Sequence, residues 1–190
     1  MEPTLEKPQI EDIFTSDFEQ NKDVIFKNDT EAVKKIRLEA ISSYTKLGFP
    51  GKKNELYRFT DVRKFIENSG RLVHQFHPPK ITQPINEVFQ CEIDTLDTYD
   101  LMVIDGWYPK SQPLFQKLSG GGIAGSFSEG LELYPDIINE HFGQYADYKS
   151  DALVALNTAF AADGVFAHFS RGSKMDKPLQ IVYVVTGKTD

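Results

Sequence analysis

The chain has one cysteine, Cys91, among 190 residues. An internal disulfide is excluded, and a reducing cytoplasm is the expected compartment. Set on an alternating apolar stretch, that thiol is expected to be buried and inert. No apolar run approaches the ~20 residues that cross a bilayer, so no membrane span is expected. The opening Met1-Glu2-Pro3-Thr4-Leu5-Glu6-Lys7 lacks the basic start and apolar stretch of a secretory signal. Histidine is scarce too. His74 and His77 are close in sequence, but Pro78-Pro79 stops a helix from presenting both rings on one face. His141 and His168 lie elsewhere. A metal site needs about three or four converging ligands, and none is expected here.

Bases are in deficit: 21 against 28 acids, a formal net charge of −7. Phosphate affinity needs a net basic surface, and no basic stripe with interleaved aromatics occurs, so nucleic acid is not an expected partner. The distribution of charge says more than the total. Residues 1–31 hold nine acids and three bases, and residues 33–64 hold nine bases and three acids. Such neighbours can dock on one another. The basic segment can instead meet an acidic partner, or both can be solvated helix faces.

Ile10, Ile13, Phe14, Phe18 and Ile25 recur near helical spacing and predict a first, acidic helix. Asn28 and Glu31 have capping-box spacing, with Asn28 as the expected cap. Behind them Val33, Ile36, Ala40, Ile41, Tyr44 and Leu47 form an apolar face that predicts a helix over 30–47. Gly48 supplies its stop, and Pro50 prevents continuation. Thr60 is the expected cap of a short third helix holding Phe65 and Ile66. From about residue 70 the period changes. His74 to Pro79 reads as a loop and Val88–Ile93 as a half-buried strand. Leu101–Ile104 reads as a buried strand, Asp105-Gly106 as a tight turn, and Trp107-Tyr108 as the start of the return. A helical region near 128–142 and a helix from Asp151 follow. Asp163-Gly164 then turns into a strand at Val165–Phe169. Helices first and strands later indicate an α+β chain. The expected organisation is a helical region over 1–70, a mixed region over 71–150, and a helix with strands over 151–190.

Gly120 to Gly125 spells G-x-G-x-x-G. A nucleotide site needs those glycines between a buried strand and a helix. The preceding Leu114–Ser119 is not a buried run, so a flexible loop is expected. Ser119, Ser126 and Ser128 lack a nucleophile-elbow context, and no base is placed beside them. No catalytic constellation emerges. The last strand, Pro178 to Thr186, is followed by Gly187-Lys188-Thr189-Asp190 and nothing to cover its edge. We therefore expect the front part of a longer protein, whose open strand invites self-association.

Gly48-Phe49-Pro50, then Glu55, Tyr57, Arg58, Phe59 and Thr60, follow a helix carrying Arg37 and Ala40. This arrangement resembles the signature of SufD, in the SufB/SufD family of iron–sulfur cluster assembly proteins. Tyr57 stands where that signature has Trp, another flat amphipathic ring. Asn157, Asp163-Gly164 and Pro178 are similar to the family's entry into its β-helical core, and Tyr99–Gly106 resembles a strand and turn between the two. The order and spacing match from about residue 30 onward.

The resemblance implies a helical front followed by a small mixed β region that leads into the first rung of a right-handed parallel β-helix, with residues 151–190 as cap helix and opening strands. It implies SufB and SufC homologues as partners, and an iron–sulfur cluster for the assembled complex. No cofactor is expected in this segment, which is non-catalytic by itself, because the family's cluster-related residues and ATPase-docking surface lie beyond residue 190. What it transfers is structural: Gly48 as helix stop, Pro50 and Pro178 as turn or strand-start residues, and Gly164 as the turn before a strand. Two other readings stand beside it. One is a stand-alone interaction module. The other is a small enzyme using the Gly120–Gly125 loop for a nucleotide.

Overall fold

A computed structural model of the chain describes residues 9–52, 54–69, 76, 78 and 97–186. His74, His77, Cys91 and the strand expected at Val88–Ile93 lie outside these residues. In chain order the helices are α1 (Ile10–Gln20), α2 (Lys22–Ile25), α3 (Glu31–Leu47), α4 (Val62–Ser69), α5 (Phe127–Leu133), α6 (Pro135–His141) and α7 (Ala152–Phe160). The strands are β1 (Tyr99–Ile104), β2 (Phe115–Lys117), β3 (Ile123–Ser126), β4 (Val165–His168) and β5 (Leu179–Val184). The fold is mixed α+β, as expected. Two compact units form, one from residues 1–74 and 134–161, the other from 75–133 and 162–190.

In the first unit α3 packs along α7. The buried residues of α3, Val33, Arg37, Ala40, Ile41 and Tyr44, fall at helical spacing on one face. Those of α7 include Ala152, Ala155 and Ala159. Alanines at the contact let two helix backbones approach closely. Around this seam the aromatic rings interlock. Phe14 meets Tyr44 edge-on at 6.0 Å and stacks on Phe49 at 6.2 Å, while Phe18 meets Phe160 at 5.6 Å. Each such pair adds about 0.5–1.5 kcal/mol beyond the area it buries.

The cap of α3 differs from the expectation. Thr30, not Asn28, is the N-cap, and its hydroxyl accepts from the Val33 N–H at 3.2 Å. Thr30 directly precedes the first helical residue and has extended backbone, which brings its oxygen within reach. Glu31 pairs forward with Lys34 at 2.8 Å. Gly48 stops the helix as expected, with φ +69° and its N–H on the Tyr44 carbonyl at 2.9 Å. Asp61 rather than Thr60 caps α4, accepting from the Lys64 N–H at 3.0 Å.

The acidic and basic segments do dock in part. Glu11 on α1 accepts from the Phe49 N–H at 2.9 Å and from Arg63 on α4, which also donates to the Phe49 carbonyl at 3.1 Å. One carboxylate thus joins α1, the turn after α3, and α4. A second pair is buried outright. Arg37 and Asp29 have no exposed side-chain surface and meet at 2.7 and 3.2 Å. Arg37 also donates to the carbonyls of Thr158 and Ala159 at the end of α7, both at 3.3 Å. A cation suits a helix C-terminus, where carbonyls lack intrahelical donors. Burial pushes the Asp29 carboxyl up, and the guanidinium offsets part of that.

In the second unit β1 is buried along most of its length, with Leu101 and Val103 essentially inaccessible. Asp105 (φ +48°) and Gly106 (φ +88°) form the expected tight turn. The expected return strand is reduced to one bridge, Ile104 with Trp107. The next N–H, of Tyr108, is taken by Asp163 at 2.9 Å, and Pro109 follows without a donor. Strands β2, β3 and β4 form an antiparallel sheet in that order. The glycine-rich segment, expected as a flexible loop, is a short 3-10 turn followed by β3. Gly125 is required there, since a Cβ would fall 1.9 Å from the Leu114 carbonyl oxygen. Gly120 to Gly122 precede a strand of an antiparallel sheet and Gly125 lies within it, which is not the strand–glycine–helix order of a nucleotide site. β5 pairs in parallel with β1 from Tyr99–Leu179 to Ile104–Val184. Among the described residues the last strand therefore has one partner, β1.

Two outcomes follow from the ionic contacts. Burial pushes the Glu11 carboxyl up, but its bonds from Arg63 and the Phe49 N–H outweigh that and leave it below the usual 4.5. A depressed carboxylate contributes stability that is complete above the unfolded value and is lost as pH falls through the folded one. Glu11→Gln should therefore destabilise the protein at neutral pH and flatten the loss of stability below 4.5. Urea unfolding across a pH series reads this. Arg37→Met should cost about 3–5 kcal/mol, because it leaves a buried carboxylate uncompensated. Adding Asp29→Leu should restore most of the loss, measured the same way.

Candidate functional site

The residues singled out by sequence do not converge on one cleft. They divide into packing, junction and surface roles. Arg37 and Ala40 lie buried in the α3–α7 seam, while Asn157 is on α7 and exposed. Gly48, Phe49 and Pro50 make the turn held by Glu11 and Arg63. Tyr57 follows this turn in a short 3-10 segment, and its hydroxyl donates to the Asp151 carboxylate at 2.9 Å. Asp151 also caps α7, accepting from the Leu153 and Val154 N–H groups at 2.8 and 3.0 Å. Burial and then this carboxylate raise the Tyr57 phenol above its ordinary value. The junction needs a ring with a donor at its far end. Sequence alone gave the ring but not its partner. Glu55, Arg58 and Thr60 are exposed, with Arg58 paired to Glu55 at 3.0 Å.

Asp163 organises the second unit. One carboxylate oxygen takes the Tyr108 N–H at 2.9 Å, and the other takes the Ser126 hydroxyl and the Ser128 N–H, both at 3.0 Å. It thereby ties the segment after β1, the end of β3 and the start of α5 to the turn before β4. Ser126 and Ser128, considered above as nucleophiles, are bound into this network. Gly164 follows with φ +141°. Ser119 likewise is engaged, its hydroxyl bonded to the Asp176 carboxylate at 2.5 Å. His141 pairs with Tyr145, ring against ring at 5.8 Å. Among the described residues no group of three or more potential metal ligands occurs, and no helix is long and apolar enough to cross a membrane.

The feature best suited to recognition is the β1–β5 sheet, whose two edges differ. The outer edge of β1 is closed by side-chain amides. Gln112 both accepts from the Met102 N–H and donates to the Met102 carbonyl, each at 2.9 Å, and Gln116 donates to the Asp100 carbonyl at 3.2 Å. On β5 the carbonyls of Pro178 and Val184 point toward β1, where Tyr99 and Asp105 donate to them. By strand alternation Ile181 and Tyr183 turn their peptide groups the other way. Among the described residues no strand lies on that side. The side chains there are apolar and open: Ile181 is 41% exposed, Tyr183 69% and Val185 83%. An open apolar edge is a template for another strand. Pro178, exposed, stands directly before it as the expected strand-start residue. The pairing to β1 locates the side of β5 on which no strand lies among the described residues.

Comparison with known proteins bears on the whole arrangement. The chain is similar to an iron–sulfur cluster assembly SufBD family protein of Arabidopsis thaliana, ABCI9, with 23% identity over 164 residues. That match takes in 75% of this chain and 33% of the relative, so the chain spans about a third of the length of the relative it matches. The family described as the SufBD protein N-terminal region matches residues 8–181, which takes in both units and every motif residue named above. The chain belongs to the SufBD N-terminal region family.

Proposed function

We propose that this chain is the N-terminal region of a SufD-like scaffold subunit acting in iron–sulfur cluster assembly, together with SufB and SufC homologues, in the cytoplasm. The observation that carries the reading is the family match over residues 8–181. The relative's description as an iron–sulfur cluster assembly protein supports the process. The Gly48–Thr60 segment supports the SufD branch over SufB. In this reading the region supplies structure rather than catalysis, and the cluster is cargo of the assembled complex rather than a cofactor of these residues. The outer edge of β5 receives the next strand of a stacked parallel sheet, the first rung of a β-helix. The ordering of that edge supports this role, since β1 on the far side is sealed by Gln112 and Gln116 and growth can proceed in one direction.

The test uses the full-length protein co-purified with its SufB and SufC homologues. Anaerobic reconstitution should load iron and sulfide, read by visible absorbance and metal analysis. Ile181→Pro removes an outward-facing donor from the β5 edge and should abolish stacking and, with it, most cluster loading. A complex that takes up no cluster contradicts the assembly role. Full loading by the Ile181→Pro protein contradicts the role given to the edge.

A further inference from the structure

Charge pairing in the first unit is uneven. Glu31 is held by Lys34, and Glu39 accepts from the Tyr148 hydroxyl at 3.0 Å. Lys35 and Lys46 have no acidic partner among the described residues. With Lys149 they border a cavity of about 620 Å³ along the outer face of α3. Its apolar floor is Phe26 and Leu38, the latter 42% exposed, and Ser42 and Ser43 add hydroxyls. Lys35, Leu38, Ser42 and Lys46 follow one another at three- or four-residue steps, so they form one stripe along the helix. That stripe is about 16 Å long, from a rise of about 1.5 Å per residue.

We infer that this groove binds an acidic segment of a partner protein that carries a leucine-like side chain for the Leu38 floor. Lys34, Lys35, Lys46 and Lys149 line the groove against Glu31 and Glu39, and this excess of positive charge gives the charge complementarity. The apolar floor gives a reason for a side chain to enter. A polyanion such as nucleic acid fits poorly. The chain carries a net charge of −7, and at physiological salt the field of a local basic patch fades within about 8 Å. Attraction must then come from contact-range pairs, which a short peptide can make without bringing a long charged backbone against the rest of the surface. The groove lies in the first unit and the β5 edge in the second, and the inference does not rest on the cluster-assembly reading.

The experiment uses the whole chain and a fluorescein-labelled helical peptide of about twelve residues, enough to span the stripe, with glutamates on one face and leucines on the other. Fluorescence anisotropy should show saturable binding that weakens with added salt. The double variant Lys35→Glu/Lys46→Glu should weaken it by about tenfold or more, and Leu38→Ser should weaken it independently. Both lysines are exposed, and thermal melts verify that the variants fold. In the unsubstituted protein, bound peptide should protect Lys35 and Lys46 from acetylation. Absence of binding, indifference to the charge reversal, or unprotected lysines would each overturn the inference. Equal binding of a lysine-for-glutamate peptide, or tighter binding of a single-stranded oligonucleotide, would overturn it as well.

Discussion

Helix α3, seventeen residues long, lies along α7, nine residues long, and the closeness of the two backbones sets what the rest of the first unit can do. Ala40, Ala155 and Ala159 are fully buried at this seam. Small side chains at a contact let two helix backbones approach closely. Arg37 is the long side chain admitted there, and it is admitted because the last carbonyls of α7 and the Asp29 carboxylate together satisfy its donors. Removing a guanidinium from water is costly, so each of those acceptors is needed. The position of α7 thus fixes Arg37, Arg37 fixes Asp29, and Asp29 fixes the turn that leads into α3. The aromatic rings then fill the space the alanines leave at the edges of the seam. Tyr44 shows the limit of this packing: its ring is wholly buried, and its hydroxyl has no hydrogen-bond partner among the described residues.

The second unit joins an apolar cluster of Leu101, Tyr108, Leu118 and Ala124 to a set of polar ties. Asp163 gathers three donors from segments far apart in sequence, and Gln112 imitates a strand along β1. Both devices satisfy backbone groups that short strands leave open, which small sheets need most. The consequence is a directional sheet, closed by side chains on one side and, among the described residues, open on the other.

Much of this was legible in the sequence where period and punctuation agree. The helix ending at Gly48, the helix starting at Asp151, the buried run Leu101–Ile104 and the turn at Asp105-Gly106 all combine a repeat with a residue of marked backbone preference. The misreadings share a cause. Asn28 against Thr30, and Thr60 against Asp61, are choices between adjacent oxygen-bearing side chains, and a shift of one or two residues decides which oxygen reaches the N–H. Gly120 to Gly125 looked loose because glycine marks both flexible chain and close approach. The approach of Leu114 is a tertiary fact that no local pattern carries. The same holds for Tyr57 and Asp151, 94 residues apart, and for the Asp163 network, whose members lie up to 55 residues from it. The motif residues were visible, but their division into seam, junction and surface was not.

The seam also has a meaning for how the protein is made. Arg37 finds its carbonyl acceptors 121 and 122 positions further along the chain. During vectorial synthesis α1 and α3 leave the ribosome with their aromatic and alanine faces uncovered, and the whole stretch between the two halves of the unit emerges before α7 arrives to cover them. Contacts this distant are slow to close, and exposed apolar helices are what chaperones bind. Until α7 has been translated, the buried face of α3 therefore lacks the helix that covers it in the folded unit.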